Sequence, residues 1–268
     1  MQAVTNSTGT NSTGTNSTDP ARPVHRVLAA EVGRLRAVRP DVRPRVLDVG
    51  GGSGAWAVPL ARLGCAVTVV DNSPNALAAL HRRAREAGVP DLVTAVQGDV
   101  DALTDVAPAD GADLVLGHGL LEVVDDAAVA MSALARATAP GGAVSVLVAS
   151  RYAAVLGRTI GGRLAEARAL LTDPAGRFGP HDGLRRRLDS AGLRALLIEA
   201  GLRVESLGGD GVLESWLPGA VRDDGPAAIR AATELEALAV LAEPLRDVAA
   251  RLHALGRRPL DESGRGPG

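Results

Sequence analysis

Lysine is absent from this chain of 268 residues, so its 29 basic side chains are all arginine. They are offset by 31 acidic residues, which gives a formal net charge of −2 at pH 7. This balance supplies no overall electrostatic attraction to nucleic acid or to an anionic membrane. We attribute the absence of lysine, together with the abundance of alanine, to genome base composition rather than to function.

Aromatic residues and cysteine are also scarce. Phe, Trp and Tyr make up 1% of the chain, too few for a surface of stacking platforms for single-stranded nucleic acid. The single cysteine, Cys65, has no partner for an internal disulfide, and no Cys and His cluster has metal-ligand spacing, so we expect no metal. No apolar run reaches 18 residues and no signal peptide is recognisable, so we expect no membrane partner and a cytoplasmic location.

The two ends of the chain differ from the rest. A five-residue repeat, Thr-Asn-Ser-Thr-Gly, recurs within residues 4–18 and offers no apolar side chain to bury, which predicts a disordered, low-complexity tail over residues 1–22. Residues 260–268 are predicted to be a frayed tail. The segment 23–259 between them is predicted to be one domain.

Short apolar runs alternate with segments of helical periodicity along most of that domain, beginning with a helix at Val24–Val38. This order predicts an α/β fold in which helices cover both faces of a parallel sheet. Five runs are predicted as strands: Val46–Val49, Ala66–Val70, Leu92–Val96, Ala112–Leu116 and Ala143–Ala149.

The alternation breaks after the fifth strand. Residues 151–187 contain eight arginines and three acidic residues, a local charge of +5, and are predicted to form an insertion or lid. The run Arg185–Arg187 either contacts substrate or begins a solvated helix. Further on, helices are predicted at 188–200 and 227–249 and a strand at 202–207, while 251–258 fits either a continued helix or a final strand.

The most informative motif is Val46-Leu47-Asp48-Val49-Gly50-Gly51-Gly52-Ser53-Gly54. A buried strand that ends in glycines and opens a helix presents backbone N–H groups to a nucleotide-like ligand. Glycine allows positive φ and lets the ligand approach bare backbone. Asp48 would repel a dinucleotide pyrophosphate, whereas it suits a ligand that carries an ammonium and a sulfonium. The motif therefore favours S-adenosylmethionine over NAD.

Acidic residues follow the next two strands. Asp71, 23 residues after Asp48, is placed to accept hydrogen bonds from ribose hydroxyls, with Asn72 beside it. NAD enzymes carry an acid at the same point, so Asp71 predicts a ribose without identifying the cofactor. After the third strand, Asp99 can accept from an adenine amino group and Val100 can contact the ring, with Asp101 next to them.

His118 lies between two glycines in Leu116-Gly117-His118-Gly119-Leu120-Leu121-Glu122, at the end of the fourth strand. That strand should lie beside the first, so His118 should reach the ligand edge of the sheet. Its role would be cofactor contact, gate or proton acceptor. The other histidines are predicted to be surface residues: His25, His81, His181 and His253.

These motifs, with Ala139-Pro140-Gly141-Gly142 after them, occur in an order that resembles the class I S-adenosylmethionine-dependent methyltransferases, and in particular the bacterial tRNA carboxymethoxyuridine methyltransferases. The resemblance implies a Rossmann-like, seven-stranded, mostly parallel sheet with a helical insertion after strand 5. Arg251–Pro259 is similar to the last strand of that family, which favours strand there.

The resemblance also implies S-adenosylmethionine as cofactor and an arginine before strand 1, Arg22 or Arg26, that meets it. Together with the residue-level interpretation above, it gives a predicted cofactor site of Asp48, Gly50, Gly51, Gly52, Asp71, Asn72, Asp99, Val100, Asp101 and His118.

Four functional hypotheses follow. The first is methylation of a carboxylate on a tRNA wobble uridine, and the second is methylation of a small carboxylic acid or other metabolite. A carboxylate acceptor needs an arginine from 151–187 to hold it, whereas a hydroxyl or amine needs a base, for which His118 is the catalytic candidate. The third is an NAD-dependent oxidoreductase, and the fourth a cofactor-binding protein without catalysis. The family's lysine run is missing and Ser150-Arg151 replaces an asparagine-containing stretch, so the acceptor stays open, as does the oligomeric state.

Overall fold

The computed structural model describes residues 22–100, 103–213, 216, 225–240 and 242–260. The predicted terminal tails, apart from Arg22 and Leu260, and the cofactor candidate Asp101 lie outside the described residues. The predicted division into tails, domain and lid therefore stays a prediction.

The described chain forms one seven-stranded sheet with the order β3-β2-β1-β4-β5-β7-β6. Strands β1 to β5 are mutually parallel, and β7 pairs antiparallel with both β5 and β6. This confirms the predicted Rossmann-like, mostly parallel sheet. The strands are β1 (Arg45–Val49), β2 (Ala66–Asp71), β3 (Val93–Gln97), β4 (Ala112–His118), β5 (Thr138–Ala149), β6 (Arg203–Asp210) and β7 (Arg251–Arg257).

Helices lie between the strands and cover both faces of the sheet, as predicted. They are α1 (Pro23–Val38), α2 (Ala57–Arg62), α3 (Pro74–Glu86), α4 (Leu103–Val106), α5 (Ala127–Ala137), α6 (Arg151–Ile160), α7 (Leu164–Thr172), α8 (Ser190–Glu199), α9 (Pro226–Ala239) and α10 (Glu243–Arg246). Among these described helices, none combines the length and apolar character that a membrane crossing requires.

The core is divided by the sheet into two layers. On one face, apolar residues of α1, α2 and α3 pack against β1, β2 and β4. On the other face, α5 and α8 pack against β1, β4 and β5. All seven residues of β4 are buried, as expected for the central strand of a parallel sheet that is covered on both sides. The end of this strand is therefore held rigidly where the first residues of the candidate site begin.

Three element boundaries differ from the sequence prediction for identifiable reasons. The glycine run was predicted to open a helix directly, whereas α2 begins only at Ala57, so Pro59 falls in the first turn, where a backbone N–H needs no helical partner. Strand β5 begins at Thr138, because Thr138 pairs with Ala112 before a bulge shifts the register. The predicted long helix 227–249 is instead two helices, α9 and α10, and Pro244 lies in the first turn of the second.

Candidate functional site

The glycine turn after β1 forms a compact backbone cradle. Gly50 and Gly52 have φ of 70° and 56°, in the left-handed region that favours glycine. The Gly50 N–H donates to the Val70 carbonyl oxygen at 2.7 Å, which ties the turn to β2. A Cβ atom on Gly51 would lie 2.5 Å from the Asp48 Cγ atom, so this position has no space for a side chain.

Asp71, the last residue of β2, holds the cradle from the side. Its Oδ2 accepts a hydrogen bond from the Gly52 N–H and its Oδ1 one from the Ser73 N–H, both at 2.9 Å. Each carboxylate oxygen can accept a further hydrogen bond. The side chain is thus fixed in orientation and still able to accept from the two hydroxyls of a ribose.

A cavity of about 530 Å³ opens beside this carboxylate, at the carboxyl ends of β1, β2 and β3. This volume falls within the range of small-molecule sites. Five of the predicted cofactor residues line it: Gly50, Asp71, Asn72, Asp99 and Val100. The structure therefore brings together the residues that were assigned to ribose and adenine from the sequence.

Asp48 lies beneath the cradle and is fully buried. Neither of its carboxylate oxygens has a hydrogen-bond partner among the described residues. Burial, with a smaller contribution from the negative charge of Asp71, raises the pKa of Asp48 to about 7. A buried, unpartnered carboxylate is a costly arrangement, and a nearby cation would relieve the cost. The residues present thus fit a ligand with an ammonium group and a ribose.

His118, the last residue of β4, is buried on the same face of the sheet as Asp48. Its Nε2 atom lies 2.8 Å from Ser145 Oγ, and Ser145 Oγ lies 2.8 Å from His253 Nε2. Burial is the main cause that holds the pKa of His118 well below its usual range, and the Arg251 guanidinium adds to the effect. At neutral pH His118 is therefore an uncharged imidazole.

Two aromatic rings lie in a row beside His118 on the side of the sheet that α1 covers. The Trp56 ring meets the His118 ring edge to face at a centroid distance of 4.6 Å, and His25 lies 4.5 Å from Trp56. Of the two arginines considered for cofactor contact, Arg22 forms an ion pair with buried Asp210 at 3.5 Å, and Arg26 is exposed. Arg22 thus joins the start of α1 to the end of β6.

Glu122 is a second buried group at the end of β4. It is 9% exposed, and its Oε2 atom has no hydrogen-bond partner among the described residues. Burial raises the pKa of the carboxyl group, and the nearby guanidinium groups of Arg251 and Arg187 partly oppose that rise. Glu122 and His118 are therefore two buried titratable groups near the carboxyl end of β4.

Residues 185–188, which we call the strap, cross the carboxyl ends of β4 and β5. The Arg185 N–H donates to the Glu122 carbonyl oxygen at 2.9 Å, and the Leu188 N–H donates to the Ala149 carbonyl oxygen at 3.1 Å. The Arg186 guanidinium donates to three carbonyl oxygens of the loop after β4, those of residues 121, 124 and 125. The strap thus binds the arginine-rich insertion to the loop that carries Glu122.

The sequence prediction for one of the histidines was wrong, because His253 was assigned to the surface and is 4% exposed. His81 and His181 are exposed, as predicted, and His25 is half-buried against Trp56. A lone histidine carries no periodic signal that reveals which strand will pack beside it. Glu122, Ser145 and Trp56 also received no functional assignment, although Glu122 belongs to the motif that gave His118.

The run Arg185–Arg187 does not begin a helix, because α8 starts at Ser190; its contact with substrate stays a prediction. Arg187 forms an ion pair with Asp182, and Arg185 forms one with Asp125, each at 2.6 Å.

The described residues contain no group of three or more His, Cys, Asp and Glu side chains that is placed to hold a metal ion.

The sequence matches the profile of a methyltransferase domain over residues 46–142. It is 30% identical over 199 residues to the ubiquinone biosynthesis O-methyltransferase of Xanthomonas axonopodis pv. citri, which covers 74% of this chain and 78% of the relative. It is 36% identical over 132 residues to the enzyme of the same name from Paracidovorax citrulli, which covers 49% of this chain. That match spans 55%, about half, of the length of the Paracidovorax relative.

Solved structures share the fold at low sequence identity. The [4+2]-cyclase SpnF superposes with a TM-score of 0.55 at 20% identity, covering 88% of this chain and 82% of that one. The magnesium protoporphyrin IX methyltransferase of Synechocystis PCC 6803, solved with bound SAH, gives 0.53 at 15% identity, covering 88% of this chain and 84% of that one. The same fold occurs in a cyclase and in a methyltransferase, so the fold alone does not identify the activity. The assignment to a family therefore rests on the sequence relatives. This chain belongs to the class I S-adenosylmethionine-dependent methyltransferases.

Proposed function

We propose that this protein transfers a methyl group from S-adenosylmethionine to a hydroxyl oxygen of a small organic molecule. The observation that carries the proposal is the placement of His118 at the carboxyl end of β4, where Ser145 Oγ lies 2.8 Å from Nε2 and Nδ1 has no hydrogen-bond partner among the described residues. A hydroxyl acceptor must lose a proton, and a neutral imidazole can accept it. The relatives named O-methyltransferases support oxygen as the acceptor atom.

The cofactor is assigned to the cradle and the cavity beside it. The backbone of Gly50, Gly51 and Gly52 lies against it, Asp71 accepts from its ribose hydroxyls, and Asp48 faces its ammonium group. Asn72, Asp99 and Val100 line the adenosine end, and Asp101 is assigned there from the sequence alone. The bound cofactor supplies an electrophilic methyl group, so the protein contributes mainly by positioning the acceptor.

The placement of the few aromatic residues favours an acceptor that carries a ring. The chain has four residues of the Phe, Trp and Tyr type. Three of them follow the carboxyl ends of strands: Trp56 after β1, Tyr152 after β5 and Trp216 after β6. The indole Nε1 of Trp216 is buried without a hydrogen-bond partner among the described residues, so it has a donor to offer. We therefore infer a phenolic hydroxyl as the acceptor.

The tRNA hypothesis draws less support from the arginine-rich segment than its local charge of +5 suggests. Arg158 pairs with Glu166 at 2.7 Å, and Arg185 and Arg187 have acidic partners of their own. Arg151 and Arg186 donate to backbone carbonyl oxygens. Arg177 also donates to the Gly179 carbonyl oxygen, at 3.5 Å. Six of the eight arginines are thus engaged within the protein, which favours a structural cover over the ends of the strands.

The test is transfer of radiolabelled methyl from S-adenosylmethionine by the purified protein. The acceptors are a panel of small phenols with matched carboxylic acids, and bulk RNA with and without ribonuclease. We expect label in the phenols and in a form that resists mild alkali, because a methyl ether survives conditions that hydrolyse a methyl ester. His118→Gln should lower kcat by about 10²- to 10⁴-fold, the usual contribution of a general base.

Calorimetry of cofactor binding provides the control for that variant. His118→Gln should bind S-adenosylmethionine as the parent protein does, and exposed His81 on α3 offers a matched His81→Gln substitution that should leave kcat unchanged. Ribonuclease-sensitive label would favour the tRNA hypothesis, and alkali-labile label would favour a carboxylate acceptor. Binding without any transfer would point to a cofactor-binding protein, and each of these three results would overturn the proposal.

A further inference from the structure

Two buried histidines lie on either side of strand β5 in the same row of the sheet. His118 of β4 and His253 of β7 are both in register with Leu147. Ser145, two residues earlier on β5, projects from the same face as Leu147, because alternate residues of a strand share a face. The strand register therefore places one hydroxyl between two imidazoles, at 2.8 Å from the Nε2 atom of each.

The hydroxyl of Ser145 has one proton, so it cannot donate to both rings. If it donates to His253, then His118 must carry its proton on Nε2 and donate to Ser145, which leaves Nδ1 as a bare acceptor. If it donates to His118, then His118 carries its proton on Nδ1, and that N–H is a buried donor without a partner among the described residues. Buried orphan donors are rare in proteins, so the first arrangement is favoured.

We propose that Ser145 and His253 are positioning residues that fix the tautomer and the ring orientation of His118, so that Nδ1 faces the acceptor as a proton acceptor. The proposal rests on the proposed function for the role of Nδ1, whereas the tautomer itself is a property of the protein alone. The tautomer of a functional histidine is commonly set in this way by the hydrogen bond that its other nitrogen makes.

The proton balance of the step is simple. The acceptor O–H bond breaks as an N–H bond forms at His118 Nδ1, and the oxygen forms a bond to the methyl carbon while the sulfur–methyl bond of S-adenosylmethionine breaks and leaves a neutral thioether. The imidazolium that results keeps its Nε2–H bond to Ser145 Oγ, whose own proton remains directed to His253 Nε2. No further acid or base is needed within this step, because Ser145 stabilises the protonated ring by accepting from it.

The first experiment reads the tautomer directly. Long-range proton–nitrogen correlation NMR on the full chain with ¹⁵N-labelled histidine distinguishes a protonated from a bare ring nitrogen. His118→Gln assigns the His118 signals by their disappearance. We expect Nε2 to be protonated and Nδ1 bare in the parent protein without substrate. A protonated Nδ1 would overturn the proposal, even if the protein methylates a hydroxyl as proposed.

The second experiment uses matched variants of the chain. Ser145→Ala and His253→Leu should give a mixture of His118 tautomers and lower kcat by about 10- to 100-fold, the effect typical of partners that orient metal-bound histidines. His253→Gln, whose amide oxygen can accept from Ser145, should recover most of the loss, and cofactor affinity should stay constant throughout. An unchanged tautomer and kcat in Ser145→Ala would overturn the proposal. Absence of methyl transfer in the parent protein would contradict the proposed function alone.

Discussion

Asp48 links the stability of the protein to the ligand that it receives. Its carboxyl group is fully buried, has no partner among the described residues and has a pKa raised from 3.8 to about 7 by burial and by Asp71. The folded protein therefore binds the proton more tightly than the unfolded chain does. It follows that stability falls as pH rises from about 4 to about 7 and that the full loss is present above pH 7.

Replacing Asp48 by Asn should therefore stabilise the protein without cofactor. We expect the gain in the free energy of unfolding to be small at pH 4 and to reach about 1–3 kcal/mol at pH 8, the usual cost of an unsatisfied buried polar group. Urea unfolding across this pH range measures it. Asp41→Asn, at an exposed position in the preceding turn, is the control and should show no such pH dependence.

The same substitution should weaken cofactor binding, because the neutral amide cannot pair with an ammonium group. A loss of about 10- to 100-fold in affinity corresponds to the 1.5–3 kcal/mol of a hydrogen bond to a charged group. Calorimetric titration with S-adenosylmethionine measures it. Equal affinity in Asp48→Asn and the parent protein would show that the cation is held elsewhere.

At the scale of single residues, the sequence predicted the groups that follow parallel strands and missed those that lie within them. Gly50, Asp71, Asp99 and Val100 were found because each follows a recognisable strand and strand ends meet at one edge. Ser145 and His253 lie inside strands, and their contact depends on β7 lying next to β5. No local pattern carries that pairing, so only the fold could show it.

Among the elements, the strap connects the insertion to the loop after β4. Its contacts with that loop and with β5 are backbone hydrogen bonds and three bonds from one guanidinium, Arg186. Bonds from a charged donor are stronger than neutral ones. Arg186 therefore supplies three charge-assisted hydrogen bonds to the loop that carries Glu122.

Arg186→Ala should loosen this loop. We expect the free energy of local opening of residues 119–126 to fall by about 1–3 kcal/mol, because three carbonyl oxygens lose a charged donor. Hydrogen–deuterium exchange with mass spectrometry measures it. Arg185→Ala is the control, since its ion pair with Asp125 is exposed on both sides and contributes little. Equal exchange in the two variants would show that the hydrogen bonds from Arg186 do not stabilise this loop.

The order of the elements was predicted better than their ends. Alternating apolar runs gave each strand of the parallel part, and the final strand was favoured over a helix at 251–258, as β7 confirms. The start of β5 was missed because Thr138 pairs with Ala112 ahead of a bulge, and a Pro-Gly-Gly sequence in isolation predicts a turn. Tertiary pairing overrode local propensity there.

At the scale of the whole molecule, ion pairs join secondary-structure elements that are distant in sequence. Buried Glu31 of α1 accepts from Arg257 of β7 at 2.6 Å, and Arg257 also donates to Glu205 of β6. These bonds lower the pKa of Glu31 and of Glu205. Both pairs therefore contribute stability above pH 4.5, and the contribution is lost as the carboxylates are protonated in acid.

The rate of methylation should accordingly depend little on ionic strength. We expect kcat/KM for the preferred small acceptor to change by less than about twofold between 50 and 200 mM salt, since Arg158, Arg185 and Arg187 of the basic segment have acidic partners within the protein. An enzyme that makes six to ten phosphate contacts would lose about 10³- to 10⁵-fold in affinity over the same range. Steady-state kinetics in a salt series distinguishes a small acceptor from one that is held through phosphate contacts.

The antiparallel strand β7 has a consequence for the order in which the protein is built. It is made last among the strands, yet it lies between β5 and β6. During synthesis β6 has no neighbour to pair with, and the outer edge of β5 stays open until residues 251–257 leave the ribosome. The final strand also delivers His253 to Ser145. A nascent chain can thus assemble its cofactor cradle early, while the hydrogen-bonded chain behind His118 is completed only after β7 has been translated.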